Sequence, residues 1–540
     1  MQADDVSEPD ANTRGASTTT LVRDLGLLAL VATAVCNVIG GGINVLSVGI
    51  QHKVPGIGPH VPIAFLVGVV PALFAALAYA ILSSAMPRAG GGYIYVSRAL
   101  HPFVGFIATF SKWFGIAAAI GVIAYMDVVL LASGVGYLEA YMEVGPVVSF
   151  LNSPVAKLII PIGMIWTFWL VNLLGVRTYG RTVVVLMVLM LAGGLAVIIA
   201  GFTSSPDRYA AAFDANPGVA VLDALAKGRE AGSTVGGTYR EIAGSVTAEP
   251  GGFAAIAQAA AWLFFAYIGF AGISQAGGEA RNPRRVLPRA FVIATAVICT
   301  YYLLFSWAVY HATGWEFIAG FVGAAGDNAS VPLIIGVVMP PALASFVAIM
   351  AALALANDIP PMLLASSRLF FAWARDGVFP RGLAAINSRF RTPHWALTAC
   401  ALVSTAYALI CYKWTYFAAI DTVIIALTFT YLLVALSVLT LPRRNPEISR
   451  HVAFIRSRAA QIAVACLAIA SLAPLLLLEL CVQDTRAISF WLGALVVGGL
   501  IFIVMWLRGV GRGRDMRAVF AVLPDEAEDL TEMGSPAVDD

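Results

Sequence analysis

The chain has 540 residues, of which 60% are hydrophobic and 12% charged, with mean hydropathy +0.85. An average soluble domain is about 45–50% apolar and about 25% charged, so the composition excludes an ordinary water-soluble globular protein. The net charge of +2 says little by itself, and no nucleic-acid partner is expected.

The apolar residues come in blocks of roughly 20, long enough to cross the hydrocarbon core as helices. Backbone facing lipid must satisfy its own hydrogen bonds, and barrel strands would be shorter and alternating, so the blocks read as helices. The first 24 residues are polar, with Asp4, Asp5, Glu8 and Asp10, which is the wrong opening for a cleavable signal peptide. Spans are then expected at 25–50, 62–86, 103–134, 155–174, 183–202, 252–276, 290–311, 342–371, 394–412, 416–440, 462–482 and 488–508. The fold class is therefore an all-α integral membrane protein of about twelve transmembrane helices.

Of the 33 Lys and Arg residues, 24 fall on one side of that topology, eight on the other, and Lys112 within the third span. Basic residues favour the cytoplasmic side, so both termini are expected there. The longest connection, 203–251, then faces outward and shows no evident hydrophobic core of its own. Asn328-Ala329-Ser330, on the next outside loop, fits an N-glycosylation acceptor.

Two spans carry glycine where a helix is weakened by it, at about 1 kcal/mol relative to Ala. Span one reads Ile39-Gly40-Gly41-Gly42-Ile43-Asn44 and span six reads Phe264-Phe265-Ala266-Tyr267-Ile268-Gly269-Phe270. One such cluster fits close helix packing as well as a break. Two of them suit a pair of discontinuous helices around a substrate site at the bilayer midplane. Freed amides at a half-helix start suit a carboxylate, and freed carbonyls at an opposing half-helix end suit an ammonium. The substrate-binding residues expected on this reasoning are Ile39 to Asn44 with Phe265, Ala266, Tyr267, Gly269 and Phe270, with non-helical backbone at Gly41 and Gly42 turning its amides into a cavity bordered by Phe265, Ala266, Tyr267 and Gly269.

Ionisable residues within spans are costly and each is a functional candidate. Lys112 and Asp127 lie in span three, and Lys112 is expected to snorkel or to pair. In span eight, Asn357-Asp358-Ile359-Pro360-Pro361 should kink the helix, since each proline removes an amide donor. Asp358 there is either a cation or proton site facing the break near Ile39 and Gly40, or the cap of a structural kink. Asn357 and Asp127 join it as coupling candidates. Asp421 and Glu479, near span ends, are expected in water. The six cysteines and six histidines show no metal-ligand or redox spacing, and neither glycine run, 90–92 or 509–513, follows a strand as a phosphate loop would. No metal, cofactor or enzymatic constellation is expected.

The chain resembles the amino acid/polyamine/organocation permease superfamily. Ile39-Gly40-Gly41-Gly42-Ile43 is similar to that family's I-G-x-G-I in helix one, and Phe265 to Phe270 to its F-A-[YF]-x-G-[FW] in helix six. Glu279-Ala280-Arg281-Asn282-Pro283 opens a close match to the loop that follows helix six. Pro87 to Tyr93, Ser367-Arg368, Ala374 to Pro380 and Thr392-Pro393 add matches in order. The resemblance implies a LeuT-like fold: repeats at about 25–202 and 252–440 within a ten-helix core 25–441, a cytoplasmic loop 442–461, helices eleven and twelve over 462–508, and tails 1–24 and 509–540. It also implies an inner gate, to which Glu279, Arg281, Arg88 and Arg98 are assigned, with Glu279 paired to Arg88 or Arg98. Many members carry a lysine in helix five that takes a sodium ion's place; the matching position here is Met190.

The expected function is secondary active transport of amino acids or related small organic amines, by ion- or proton-coupled symport or by exchange. A gated channel or sensor on the same scaffold is the alternative. The expected partners are that small-molecule substrate and membrane lipid, with the oligomeric state unassigned.

Overall fold

The computed structural model describes residues 21–136, 143–230, 233, 237–326, 329–414, 419–511 and 516–523. Asn328 of the glycosylation acceptor, the acidic residues of the first twenty positions and Gly513 lie outside them.

Among the described residues there are twelve helices long and apolar enough to span a membrane, and no strand is formed. They run Leu27–Lys53, Pro55–Ala85, Pro102–Gly136, Pro154–Leu173, Val176–Thr203, Phe253–Gly278, Pro283–Thr313, Pro341–Arg375, His394–Lys413, Asp421–Arg444, Arg458–Val482 and Thr485–Gly511, and are called spans one to twelve. Spans five and seven begin about seven residues before the expected apolar limits. Hydropathy marks the hydrocarbon slab, whereas helices end where the backbone stops them. Gly175 at φ +105° sets the start of span five, and left-handed Asn282 followed by Pro283 sets that of span seven.

Spans one, three and ten are largely enclosed by protein, while four, eleven and twelve lie at the periphery and turn most of their apolar surface outward. Residues 21–24 and 516–523 meet the same face of the bundle: Asp24 reaches Arg177 and Arg281, and the Val522 carbonyl accepts from Arg98.

The 203–251 connection packs through a partner outside itself. Among its described residues it forms three helices, Pro206–Ala215, Val219–Glu230 and Tyr239–Gly244, which fold onto a helix between spans seven and eight, Trp315–Ala325. Phe317 supplies the core that the connection lacks. Its ring stacks on Tyr239 at 4.9 Å and meets Tyr209 and Phe213 edge-on at 5.1 and 5.0 Å. Phe317 lies 78 residues after Tyr239 and more than 100 after Tyr209 and Phe213 in sequence, so local periodicity could not reveal it.

Candidate functional site

Span one breaks where the glycines predict, but not with the expected geometry. Leu27–Val38 ends at Ile39, whose ψ of 76° leaves the helical region, and a second helix, Gly42–Lys53, follows. Gly41 has helical dihedrals, φ −61° and ψ −19°, and Gly42 is the first residue of that second helix. The non-helical backbone is therefore at Ile39 and Gly40, not at Gly41 and Gly42. The break leaves the first amides of Gly42–Lys53 without the i−4 carbonyls that a continuous helix would supply, and the Asn44 amide turns back to the Gly41 carbonyl at 3.2 Å.

Span six breaks as expected. Phe253–Leu263 tightens into a 3₁₀ turn over Phe264–Tyr267, the chain extends at Ile268, and helix resumes at Gly272. Gly269 has φ +136°, and a Cβ there would strike the carbonyl oxygen of Asn37. Glycine is needed at this point twice over, for its dihedral and for the contact between the two breaks.

Asn37 and Tyr302 stitch the two breaks together, and Tyr431 ties the span-six break to span ten. Asn37 Nδ2 donates to the Gly269 carbonyl at 2.6 Å, and Tyr431 Oη accepts from the Gly269 amide at 3.1 Å. Tyr302 Oη lies 2.7 Å from the Val38 carbonyl and 2.9 Å from that of Ala266. Sequence reasoning missed all three as site residues. Tyr302 and Tyr431 sit in spans seven and ten without any motif, and only a buried hydroxyl in an apolar span could have marked them.

Of the expected substrate residues, Ile39, Gly40, Ile43 and Asn44 line a cleft closed on the other sides by spans five, seven and eight, including Met190 and Tyr301. The cleft holds about 10 Å³ of water-accessible space, near the minimum for a single water and too little for an amino acid. Span six does not reach this cleft. Tyr267 bonds instead to the Phe65 carbonyl of span two at 2.9 Å, and Phe270 packs on Tyr431 and Tyr79. Gly41 packs toward Leu355 of span eight.

Span eight is interrupted between Pro341–Ala356 and Ile359–Arg375. Asp358 stands at the N-cap position but makes no capping hydrogen bond, which removes the capping role. Its carboxylate lies instead against Gly40, where any Cβ would run into it. Asn357 Nδ2 touches Met190 Sδ at 3.5 Å, so the residue standing at the expected lysine position does contact the kink. Asp127 of span three approaches the same kink, beside the Ala356 backbone and within electrostatic reach of Asp358. Oδ1 of both aspartates and of Asn357 is buried without a hydrogen-bond partner. The kink thus gathers the three coupling candidates at the span-one break. Lys112 lies elsewhere in span three, buried and with no ion pair among the described residues. Glu479, expected in water, is half-buried and accepts from Thr428 at 3.0 Å.

The gate residues pair differently from the expectation. Glu279 binds Arg368 of span eight, at 2.5 Å from Nη2 and 3.3 Å from Nε, rather than Arg88 or Arg98. Arg98 is taken by Asp376, held in a fork at 2.5 and 2.8 Å. Arg88 offers its backbone carbonyl to the close approach of Gly277. Arg281 joins Arg177 on the carboxylate of Asp24, and the hydrogen bonds from Arg177 and then Arg281 hold that carboxyl below the usual range. Around this contact the Leu25 carbonyl accepts from the Arg281 amide, and the Asp24 and Leu25 amides donate to Glu279. The segment entering span one is therefore bound to the segment leaving span six. Arg368 and Asp376 stood within quoted motifs, but distance along the chain hid their partners.

A twelve-span helical bundle, with two broken helices meeting at mid-span beside a buried carboxylate, defines a secondary transporter of the membrane. Residues 25–506 match the sequence profile of the amino acid permease family, and the chain belongs to that family. It is 26% identical to the branched-chain amino acid permease BcaP of Bacillus subtilis, the match covering 70% of this chain and 72% of that one. The permease of the same name from Lactococcus lactis is 27% identical, over 65% of this chain and 69% of its own. An uncharacterized transporter of Mycobacterium tuberculosis is likewise 27% identical, over 69% and 70%. The protein is a multi-pass transporter of amino acids in the cell membrane, not an enzyme.

Proposed function

We propose that the protein takes up neutral aliphatic amino acids, branched-chain ones foremost, in symport with protons, and that the span-one and span-six breaks bind the substrate. The observation that carries the reading is the contact between Gly40 of the span-one break and the buried carboxylate of Asp358. It brings a group able to exchange a proton to the place where substrate amides are freed. The residues around the break favour an aliphatic side chain: Ile39, Ile43, Met190, Phe305 and Val347 surround the cleft with no ionised group among them. Two relatives named as branched-chain permeases agree with that choice. Asp127 and Asn357 assist Asp358, and residues 25–441 carry transport with spans eleven and twelve appended. Glu279, Arg368, Arg98 and Arg281 close the inner gate on a cytoplasmic face that holds both termini, as the distribution of arginine favours.

The test is uptake into proteoliposomes under an imposed pH gradient, with leucine, isoleucine, valine, lysine, glutamate and putrescine as competitors. Leucine, isoleucine and valine should compete best. Gly42→Val should abolish binding while the protein stays folded, since a Cβ at Gly42 meets only Leu46 at ordinary distance, 3.7 Å. Preference for lysine or putrescine, or unaltered leucine binding by G42V, would contradict the reading.

A further inference from the structure

Two carbonyls that helix ends leave free converge on one hydroxyl. Val38 is the last residue of the first half of span one, and Ala266 lies in the turn that closes the first half of span six. Tyr302, fully buried midway along span seven, places its Oη within hydrogen-bonding distance of both oxygens. Its ring is fixed by Tyr267 at 5.1 Å and Phe65 at 5.5 Å, so the oxygen has little freedom to move.

A phenol carries one proton. It completes one of the two carbonyls at a time, and the other keeps its partial negative charge whichever way the O–H bond points. One residue earlier, Asn37 spends its amide on Gly269, and its Oδ1 is buried without a partner. Val38, Ala266 and Asn37 thus present three acceptor oxygens beside the single hydroxyl proton of Tyr302. The group that answers such a surplus is a primary ammonium, with three donors and no acceptor.

We infer that Tyr302 is a positioning residue for the transported amino acid. Its hydroxyl holds the Val38 and Ala266 carbonyls at the spacing and direction that receive the substrate ammonium. The inference rests on the reading that substrate binds at the two breaks.

Tyr302→Phe removes one oxygen and keeps the ring contacts. Leucine and 4-methylpentanoate, which lacks only the ammonium, are compared as competitors of labelled leucine on the purified carrier. Y302F should weaken leucine by on the order of ten- to a hundredfold, the range for a hydrogen bond to a charged group, and leave 4-methylpentanoate unchanged. A role confined to packing would move both ligands alike. Placing 4-aminophenylalanine at 302 supplies two N–H donors, one for each carbonyl, and should restore the preference for leucine. If Y302F keeps the wild-type ratio between the two ligands, or loses both equally at an unchanged melting temperature, the inference is overturned. Should Y302F not be recovered folded, the 4-aminophenylalanine carrier decides: a retained ratio supports the inference and a collapsed one overturns it. Wild-type leucine binding by Gly42→Val would instead remove the underlying reading, independently of Tyr302.

Discussion

Glu279 at the end of span six and Arg368 in span eight form an ion pair at 2.5 Å, with both side chains withdrawn from solvent. Breaking a buried pair leaves an uncompensated charge, at a cost of about 3–5 kcal/mol, whereas replacing both members can be near neutral. Glu279→Gln should therefore lower the melting temperature markedly, and adding Arg368→Met should recover much of the loss. The E279Q carrier should also shift its balance between inward and outward transport in oriented proteoliposomes. Equal melting temperatures for the wild type and E279Q would show that the pair is not needed to close this face.

Gly40→Ala places a methyl group in the carboxylate of Asp358. Uptake should fall to background while the protein remains folded, because the clash is confined to the break. Asp358→Asn keeps the shape and removes the ionisable proton. It should still exchange labelled for unlabelled leucine but no longer accumulate leucine under a pH gradient. Accumulation by D358N with the wild-type pH dependence would place the coupling group elsewhere.

Gly269→Ala meets two obstacles at once, a φ of +136° and the Asn37 carbonyl. Strained backbone of this kind costs about 1–3 kcal/mol, and the collision pushes the two breaks apart. Leucine binding by isothermal calorimetry should be lost, with a clear drop in melting temperature. An unperturbed G269A would mean that the contact between the breaks is dispensable.

The carboxyl of Asp24 titrates below the normal range because Arg177 and Arg281 donate to it. A depressed folded-state pKa contributes stability above the unfolded value, near about 3.9 for Asp, and that contribution disappears as pH falls through the folded value. Asp24→Asn should thus melt below the wild type at pH 7, and the two curves should begin to converge below about pH 4 and meet once pH lies below the folded value. The Arg177 and Arg281 side chains are largely exposed, so the difference should shrink as salt is raised. A gap between the curves that persists at low pH would assign the effect to packing.

The twelve spans and both helix breaks were legible in the sequence because each is a local event. An apolar run of sufficient length has no alternative to helix in lipid, and Gly40 to Gly42, or Gly269, weakens a helix wherever it stands. Asp358 was legible for a similar reason, since a carboxylate beside Pro360 and Pro361 in an apolar span is conspicuous.

The tertiary structure decided which groups face one another. Arg88, Arg98 and Arg368 are equivalent cations in the sequence, and the packing of spans six and eight gives Glu279 to Arg368 alone. It placed Tyr302 and Tyr431, unmarked among apolar neighbours, on the freed backbone of the breaks, and it gave the 203–251 connection a core in Phe317. It also moved the non-helical backbone from Gly41 and Gly42 to Ile39 and Gly40. Three adjacent glycines specify that a helix will yield somewhere among them. The residue at which it yields depends on neighbouring spans, here on Asp358 against Gly40 and Leu355 against Gly41. Chain-local energies fix which stretches form helices and which can yield, whereas the residue that yields and the pairings between distant residues depend on contacts that exist only once the spans have packed.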